Sequence, residues 1–255
     1  MEQRRYFIKL SYDGTRYHGW QIQKNAGSVQ QLLTDALCMI LRVPVKLTGA
    51  GRTDAGVHAR EYFAHFDIDR SLTQIDIRKL VFKLNSFLPD DLAIYGVFPV
   101  VQNANARFTA ISRTYSYHIH TVKNPFLAGY SFFLFGDLDI ERMNEGAEII
   151  RSVSDFTSFS KVDTDTKTNI CRISHAHWDI AGTNLLFTIE ADRFLRNMVR
   201  AVVGTLLDIG KGKTTCDDLR QIIENKNRSD AGESVPACGL FLEKIEYPDN
   251  IFIGD

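Results

Sequence analysis

Arg52 and Asp54 stand two residues apart in the run Gly49-Ala-Gly-Arg-Thr-Asp-Ala-Gly-Val-His58. An ionised aspartate can act as a nucleophile or as the electrostatic partner of a reacting group, and a neighbouring guanidinium can take an anion. Glycines at 49, 51 and 56 permit positive φ or close backbone approach, so such a loop can press against a ligand without β-carbons in the way. Strand-like runs flank it, Val45 to Thr48 and Arg60 to Asp69, and would hold both side chains at the mouth of a sheet. The plainer alternative is a turn capped by Asp54 with Arg52 as a solvated partner.

The elements around this loop alternate in a regular order. Tyr6, Ile8 and Leu10 mark a first strand. Val29, Leu32, Leu33, Ala36, Leu37, Ile40 and Leu41 fall on one helical face, with Ser28 and Gln31 spaced as a capping box. A strand after Pro44 leads into the loop, and a strand through Tyr62, Ala64, Phe66 and Ile68 leads out of it. A helix through Ile77, Leu80, Val81 and Leu84 stops before Pro89, and Ala93 to Phe98 reads as a strand closed by Pro99. The order is βαββαβ, the split βαβ unit.

The second half repeats that order. Residues 113 to 122 alternate, and Ile140, Met143, Ala147 and Ile150 mark a helix. Thr168 to Ile180 and Asn184 to Ala191 read as a hairpin about Ala181-Gly182-Thr183. Leu195, Met198, Val199, Val202 and Leu206 make a helix ended by Gly210, Thr215 to Ile223 a short one, and Gly239 to Tyr247 a last strand. The expectation is an α+β fold. Two ferredoxin-like halves, 1–105 and 106–255, would form one long, mainly antiparallel sheet with helices on one face and a central cleft.

A cleft between halves draws residues from both walls. Arg113, Tyr115 and Tyr117 share one face of a strand by period-two alternation, which is also ordinary sheet packing. Arg193, Arg196 and Arg200, at i, i+3 and i+7, would line one cationic stripe of a helix. His118 and His120, like His175 and His177, are spaced to share a strand face and could ligate zinc, but no third ligand is evident and no metal is expected. Gly212-Lys213-Thr214 ends like a phosphate loop, yet Leu207 occupies the place of its first glycine and a helix precedes it.

Bulk properties bound the class. The 255 residues carry 30 Lys and Arg against 31 Asp and Glu, so the net field gives no pull on nucleic acid, and any RNA must meet local basic patches. Cys38, Cys171, Cys216 and Cys238 are scattered without a C-x-x-C pair, which fits a reducing cytoplasm. No signal peptide or apolar run of membrane length is evident, so a soluble cytoplasmic protein with no membrane association is expected.

Gly-Arg-Thr-Asp-Ala-Gly-Val-His-Ala resembles the signature loop of the tRNA pseudouridine synthase A family, and Arg113-x-Tyr115-x-Tyr117 and Met198-Val199-Arg200 resemble its second and third motifs. The resemblance extends from Tyr12-Asp13-Gly14 and Gly19-Trp20 to Gly239-Leu240. It implies that Asp54 is the catalytic residue, that Tyr115 stacks on the target base, and that Arg200 pairs with Asp54. Arg52 would enter the emptied stack or hold the adjoining phosphates. His58 would take an RNA or structural role, and Arg193 and Arg196 are candidate phosphate contacts. The implied function is isomerisation of uridine to pseudouridine in the anticodon stem-loop of tRNA, by base flipping, without cofactor and as a homodimer.

Two other functions compete. A non-catalytic RRM-like module would bind RNA through Tyr62, Phe63 and Phe66 as stacking aromatics, although the Gly-rich aromatic strand motif is missing. A metal hydrolase would use Asp54, His58 and His65 as ligands. The polar segment Lys161 to Asn169 matches no pattern of the family.

Overall fold

The computed structural model describes residues 3–69, 76–161 and 167–253. Two compact units divide the chain, residues 1–111 with 242–255, and residues 112–241. Among the described residues there are nine strands and five α-helices, an α+β fold with mostly antiparallel pairing.

The first unit holds β1 (Gln3–Tyr12), α1 (Val29–Leu41), β2 (Thr48–Gly49), β3 (His58–Asp69), α2 (Ile77–Phe87) and β4 (Leu92–Val100). β1 runs antiparallel between β4 and β3, and β2 pairs with β3, giving the split βαβ order. α1 buries Val29, Leu33, Ala36 and Leu37. Ser28 Oγ accepts the Gln31 N–H at 3.3 Å, but the Gln31 side chain donates to Asp35 at 2.7 Å, so only half of the capping box forms.

Two expectations for this unit need correcting. The strand after Pro44 shrinks to Thr48–Gly49, because α1 side chains take the preceding backbone groups: Cys38 Sγ accepts Val45 N–H at 3.2 Å, and Gln30 Nε2 donates to the Leu47 carbonyl at 2.8 Å. β4 continues through Pro99 to Val100, since β4 is the outer strand of this unit and the Pro99 carbonyl still accepts Ile253 N–H at 3.0 Å. β1 forms as expected, and Phe7 is fully buried as well as Ile8 and Leu10, because Tyr247 and Phe252 pack edge-on over its ring at 5.1 and 6.1 Å.

His65 of β3 lies buried, its Nδ1 accepting Ala106 N–H at 3.1 Å. Burial, assisted by the Arg5 charge, lowers its pKa from 6.5 to about 4. The unfolded chain therefore takes a proton that the folded chain refuses as pH falls from 6.5 towards 4. Stability drops across that window by up to about 3 kcal/mol. Urea titrations at pH 7 and pH 4.5 should show this loss, and His65→Asn, which cannot charge, should show a smaller one.

The second unit holds β5 (Ser112–His120), β6 (Phe132–Phe133), α3 (Ile140–Ser152), β7 (Ile173–Ala181), β8 (Asn184–Ala191), α4 (Met198–Gly210) and α5 (Cys216–Asn225). β9 (Leu240–Glu246) starts in this unit, and its residues from Leu242 onward group with the first. β8 is antiparallel to both β5 and β7, and β6 adds in parallel to β5. Gly182, at φ 62°, makes the tight hairpin turn between Ala181 and Asn184.

β7 starts five residues later than the expected Thr168. Asn169 and Cys171 bond instead to Phe156 and Ser154, which holds that stretch off the ladder. α3 is tied to β7 by Asn144, whose amide accepts from Trp178 N–H at 2.8 Å and donates to the Trp178 carbonyl at 3.2 Å. α5 carries a complete capping box between Thr215 and Asp218. Of the segment Lys161 to Asn169, residues 162–166 lie outside the described residues.

Candidate active site

The Gly49–His58 loop is clamped from beneath by aromatic side chains. Ala50 N–H donates to the Phe63 carbonyl at 2.9 Å, and the chain then leaves the edge of β3. Tyr62, fully buried, donates its hydroxyl to the Gly51 carbonyl and accepts Gly51 N–H at 3.2 Å. Its ring stacks on Trp20 at 4.2 Å and meets Tyr12 edge-on at 5.7 Å. Tyr12 and Thr53 share a hydroxyl hydrogen bond of 2.9 Å, and Thr53 Oγ1 also accepts Trp20 N–H at 3.1 Å. A β-carbon on Gly49 would sit 2.2 Å from Trp20 Nε1, so the packing requires glycine there.

Asp54 opens a turn closed by its carbonyl and Val57 N–H at 3.2 Å. Gly56, at φ 78°, fills the third corner, where a left-handed backbone is needed. Two further glycines bracket the aspartate. A β-carbon on Gly19 would lie 2.2 Å from the Thr53 carbonyl oxygen, and one on Gly14 would lie 2.0 Å from that of Val57. The backbone on either side of Asp54 therefore rests directly on residues 14 to 19. Asp54 itself is half-buried and Arg52 is exposed.

His58 is 2% exposed, with Nδ1 3.1 Å from Gly14 N and 3.0 Å from Asp13 Oδ1. A single ring nitrogen can serve one of the two, and either choice ties β3 to the start of the bracketing segment. Of the clamping residues, sequence alone gives no role to Tyr12, Trp20 or Thr53, and it offers Tyr62 only as a stacking aromatic of the RRM-like alternative. The available signals were the stretches Tyr12-Asp13-Gly14 and Gly19-Trp20 within the resemblance and the threonine enclosed between Arg52 and Asp54.

In the second unit Tyr115 stands on β5 opposite Ile189, half-buried, its ring edge-on to Phe194 at 5.1 Å. Arg113 Nη1 donates to the Asp192 carbonyl at 2.7 Å. Tyr117 is fully buried, and its hydroxyl donates to the Pro236 carbonyl at 2.8 Å. Burial raises the pKa of that phenol, which keeps it a donor.

The helical stripe of Arg193, Arg196 and Arg200 does not form. α4 begins at Met198 after Asn197, which adopts the left-handed conformation at φ 65°, so Arg193 and Arg196 lie in the preceding loop. Arg200 alone is on the helix, in its first turn. Its Nε donates to the Val235 carbonyl at 2.7 Å, and its own carbonyl accepts Val235 N–H at 3.2 Å.

Other candidates resolve into structural roles. The N–H groups of Lys213 and Thr214 both donate to the Asp208 carbonyl, so the phosphate-loop-like triplet caps the end of α4. His118 Nε2 bonds Ser116 at 3.0 Å and His120 Nδ1 bonds Ser131 at 2.9 Å, while the rings of His175 and His177 lie 6.4 Å apart. Among the described residues no three His, Cys, Asp or Glu side chains gather where a metal ion could be held. Tyr62, Phe63 and Phe66 are all at most 6% exposed, so they cannot act as the stacking platform of an RRM-like module. No described helix is long and apolar enough to cross a membrane.

Comparison with known proteins adds a consistent set of relatives. A family model described as tRNA pseudouridine synthase matches residues 153–248. The tRNA pseudouridine synthase A of Bacteroides fragilis is 53% identical over 253 residues, covering 99% of this chain and all of its own. That of Porphyromonas gingivalis is 52% identical over 251 residues, covering 98% and 99%. That of Exiguobacterium sibiricum is 34% identical over 247 residues, covering 97% and 98%.

Proposed function

Because this chain belongs to the tRNA pseudouridine synthase A family, and is therefore an isomerase, we propose that it converts uridines in the anticodon stem-loop of tRNA to pseudouridine, with Asp54 as nucleophile. The observation that carries this reading is the clamped turn that presents Asp54. A carboxylate on so constrained a backbone meets a reacting atom without first having to be ordered.

The reaction breaks the C1′ to N1 bond, turns the uracil and rejoins it through C5. Attack at C1′, attack at C6 and proton abstraction to a glycal share one atom balance, in which C5 loses its hydrogen to solvent and N1 gains one. Each needs the nucleotide out of its stack, at a cost of a few kcal/mol. Arg52 would help offset that cost by entering the vacated stack or holding the adjoining phosphates. His58 keeps the loop in register, and Arg193 and Arg196 would meet phosphates.

Arg200 would pair with Asp54. Tyr115 would stack on the target base, worth about 1–3 kcal/mol. Tyr115→Phe should then keep most of the single-turnover rate and Tyr115→Ala should lose about 10- to 100-fold. Equal rates for the two variants would remove the stacking role.

The reading extends to a homodimer acting in the cytoplasm without cofactor, which is carried by family membership alone. The test of substrate choice is an unmodified tRNA transcript beside one whose anticodon-arm uridines are replaced by cytidine. Pseudouridine mapped by position should appear in the first and be missing from the second. Undiminished formation in the second would place the target elsewhere.

A further inference from the structure

Residues 232–236 lie along α4 and are anchored to it at three places. Gly232 N–H donates to Thr205 Oγ1 at 3.0 Å. Ser234 Oγ accepts from Asn197 Nδ2 at 2.6 Å and from Arg228 Nη2 at 2.9 Å. Val235 exchanges two bonds with Arg200, one to its backbone and one to its guanidinium. The approach is close enough that a β-carbon on Gly204 would sit 1.8 Å from the Glu233 carbonyl oxygen. Three anchored residues fix a carbonyl whose visible task is to orient the Nε of Arg200.

The fourth anchor comes from the strand that carries Tyr115. The Tyr117 hydroxyl donates to the Pro236 carbonyl, one residue beyond Val235. Gly239 also closes on its ring, where a β-carbon would lie 2.8 Å from Cζ. β5 thus presents one tyrosine half-exposed and sends the other, two residues on and on the same face, into the segment that holds the arginine.

We propose that Tyr117 is a positioning residue for the isomerisation: through Pro236 and Val235 its hydroxyl sets the plane of the Arg200 guanidinium. The inference rests on the proposed role of Arg200. If Tyr117 only fills the core, its hydroxyl is dispensable for turnover, because phenylalanine fills the same space.

The test uses the full chain and an unmodified tRNA transcript, with kcat, KM and thermal melting measured for Tyr117→Phe, Arg200→Ala and the double variant. Tyr117→Phe should lower kcat about tenfold while KM stays within about twofold. In the Arg200→Ala background the same change should alter kcat by less than about twofold, since the group it acts through is gone. Thr205→Val, which frees the other end of the segment, should show the same dependence on Arg200, and Thr205→Ser should restore the rate. Wild-type kcat in Tyr117→Phe, or an equal fold loss in both backgrounds, overturns the inference and leaves the role of Arg200 standing. Wild-type kcat in Arg200→Ala overturns both.

Discussion

Asp54→Asn is expected to lower kcat for pseudouridine formation by about four orders of magnitude while the protein stays folded. The amide is nearly the same size and keeps the backbone that closes the turn to Val57 at 3.2 Å. The change removes one carboxylate oxygen, and under the proposed nucleophilic role the loss of a group that bonds to the reacting atoms falls in this range. Stability should change by less than about 1 kcal/mol, because the residue is half-buried on a loop. A melting curve and tRNA affinity close to wild type, together with a collapsed kcat, would separate chemistry from folding.

Gly14→Ala should lower kcat about 100-fold although residue 14 contributes no side chain to the site. Its new methyl would meet the Val57 carbonyl oxygen at 2.0 Å, and that oxygen belongs to the backbone and has no rotamer to escape into. Relief requires the Asp54–Val57 turn to shift by about 1 Å, a displacement that costs about 10²-fold when it moves a reacting group. Gly51→Ala is the internal control. It lies in the same loop, meets nothing within 4 Å, and should stay within about threefold of wild type. Equal losses in the two variants would mean that the loop responds to any added methyl, and that close approach at Gly14 does not place Asp54.

Much of the architecture was legible because it rests on local periodicity. The apolar face of α1, the stop before Pro89 and the hairpin at Gly182 each follow from a pattern within a dozen residues, and each is present. The errors lie where distant side chains override the pattern. Gln30 and Cys38 take the backbone groups that would have lengthened β2, and Ile253 accounts for the carbonyl of a proline that seemed to end β4.

The arginine stripe failed for a different reason. Helical spacing carries no information about Asn197, whose left-handed backbone sets where α4 begins. The loop that carries Arg52, Asp54 and His58 is legible as one glycine-rich run. Its support is not, because Tyr12, Trp20 and Tyr62 are far apart in sequence and resemble ordinary core aromatics until the fold stacks them beneath Gly49.

Release of tritium from C5 decides whether the Asp54 carboxylate drives uridine isomerisation in tRNA. A transcript carrying 5-tritiated uridine in its anticodon arm is mixed with excess protein, and tritium and pseudouridine are counted together over a single turnover. Wild type should release one tritium for each pseudouridine formed, and Asp54→Asn should release almost none on the same timescale. Release by Asp54→Asn at the wild-type rate would contradict the account.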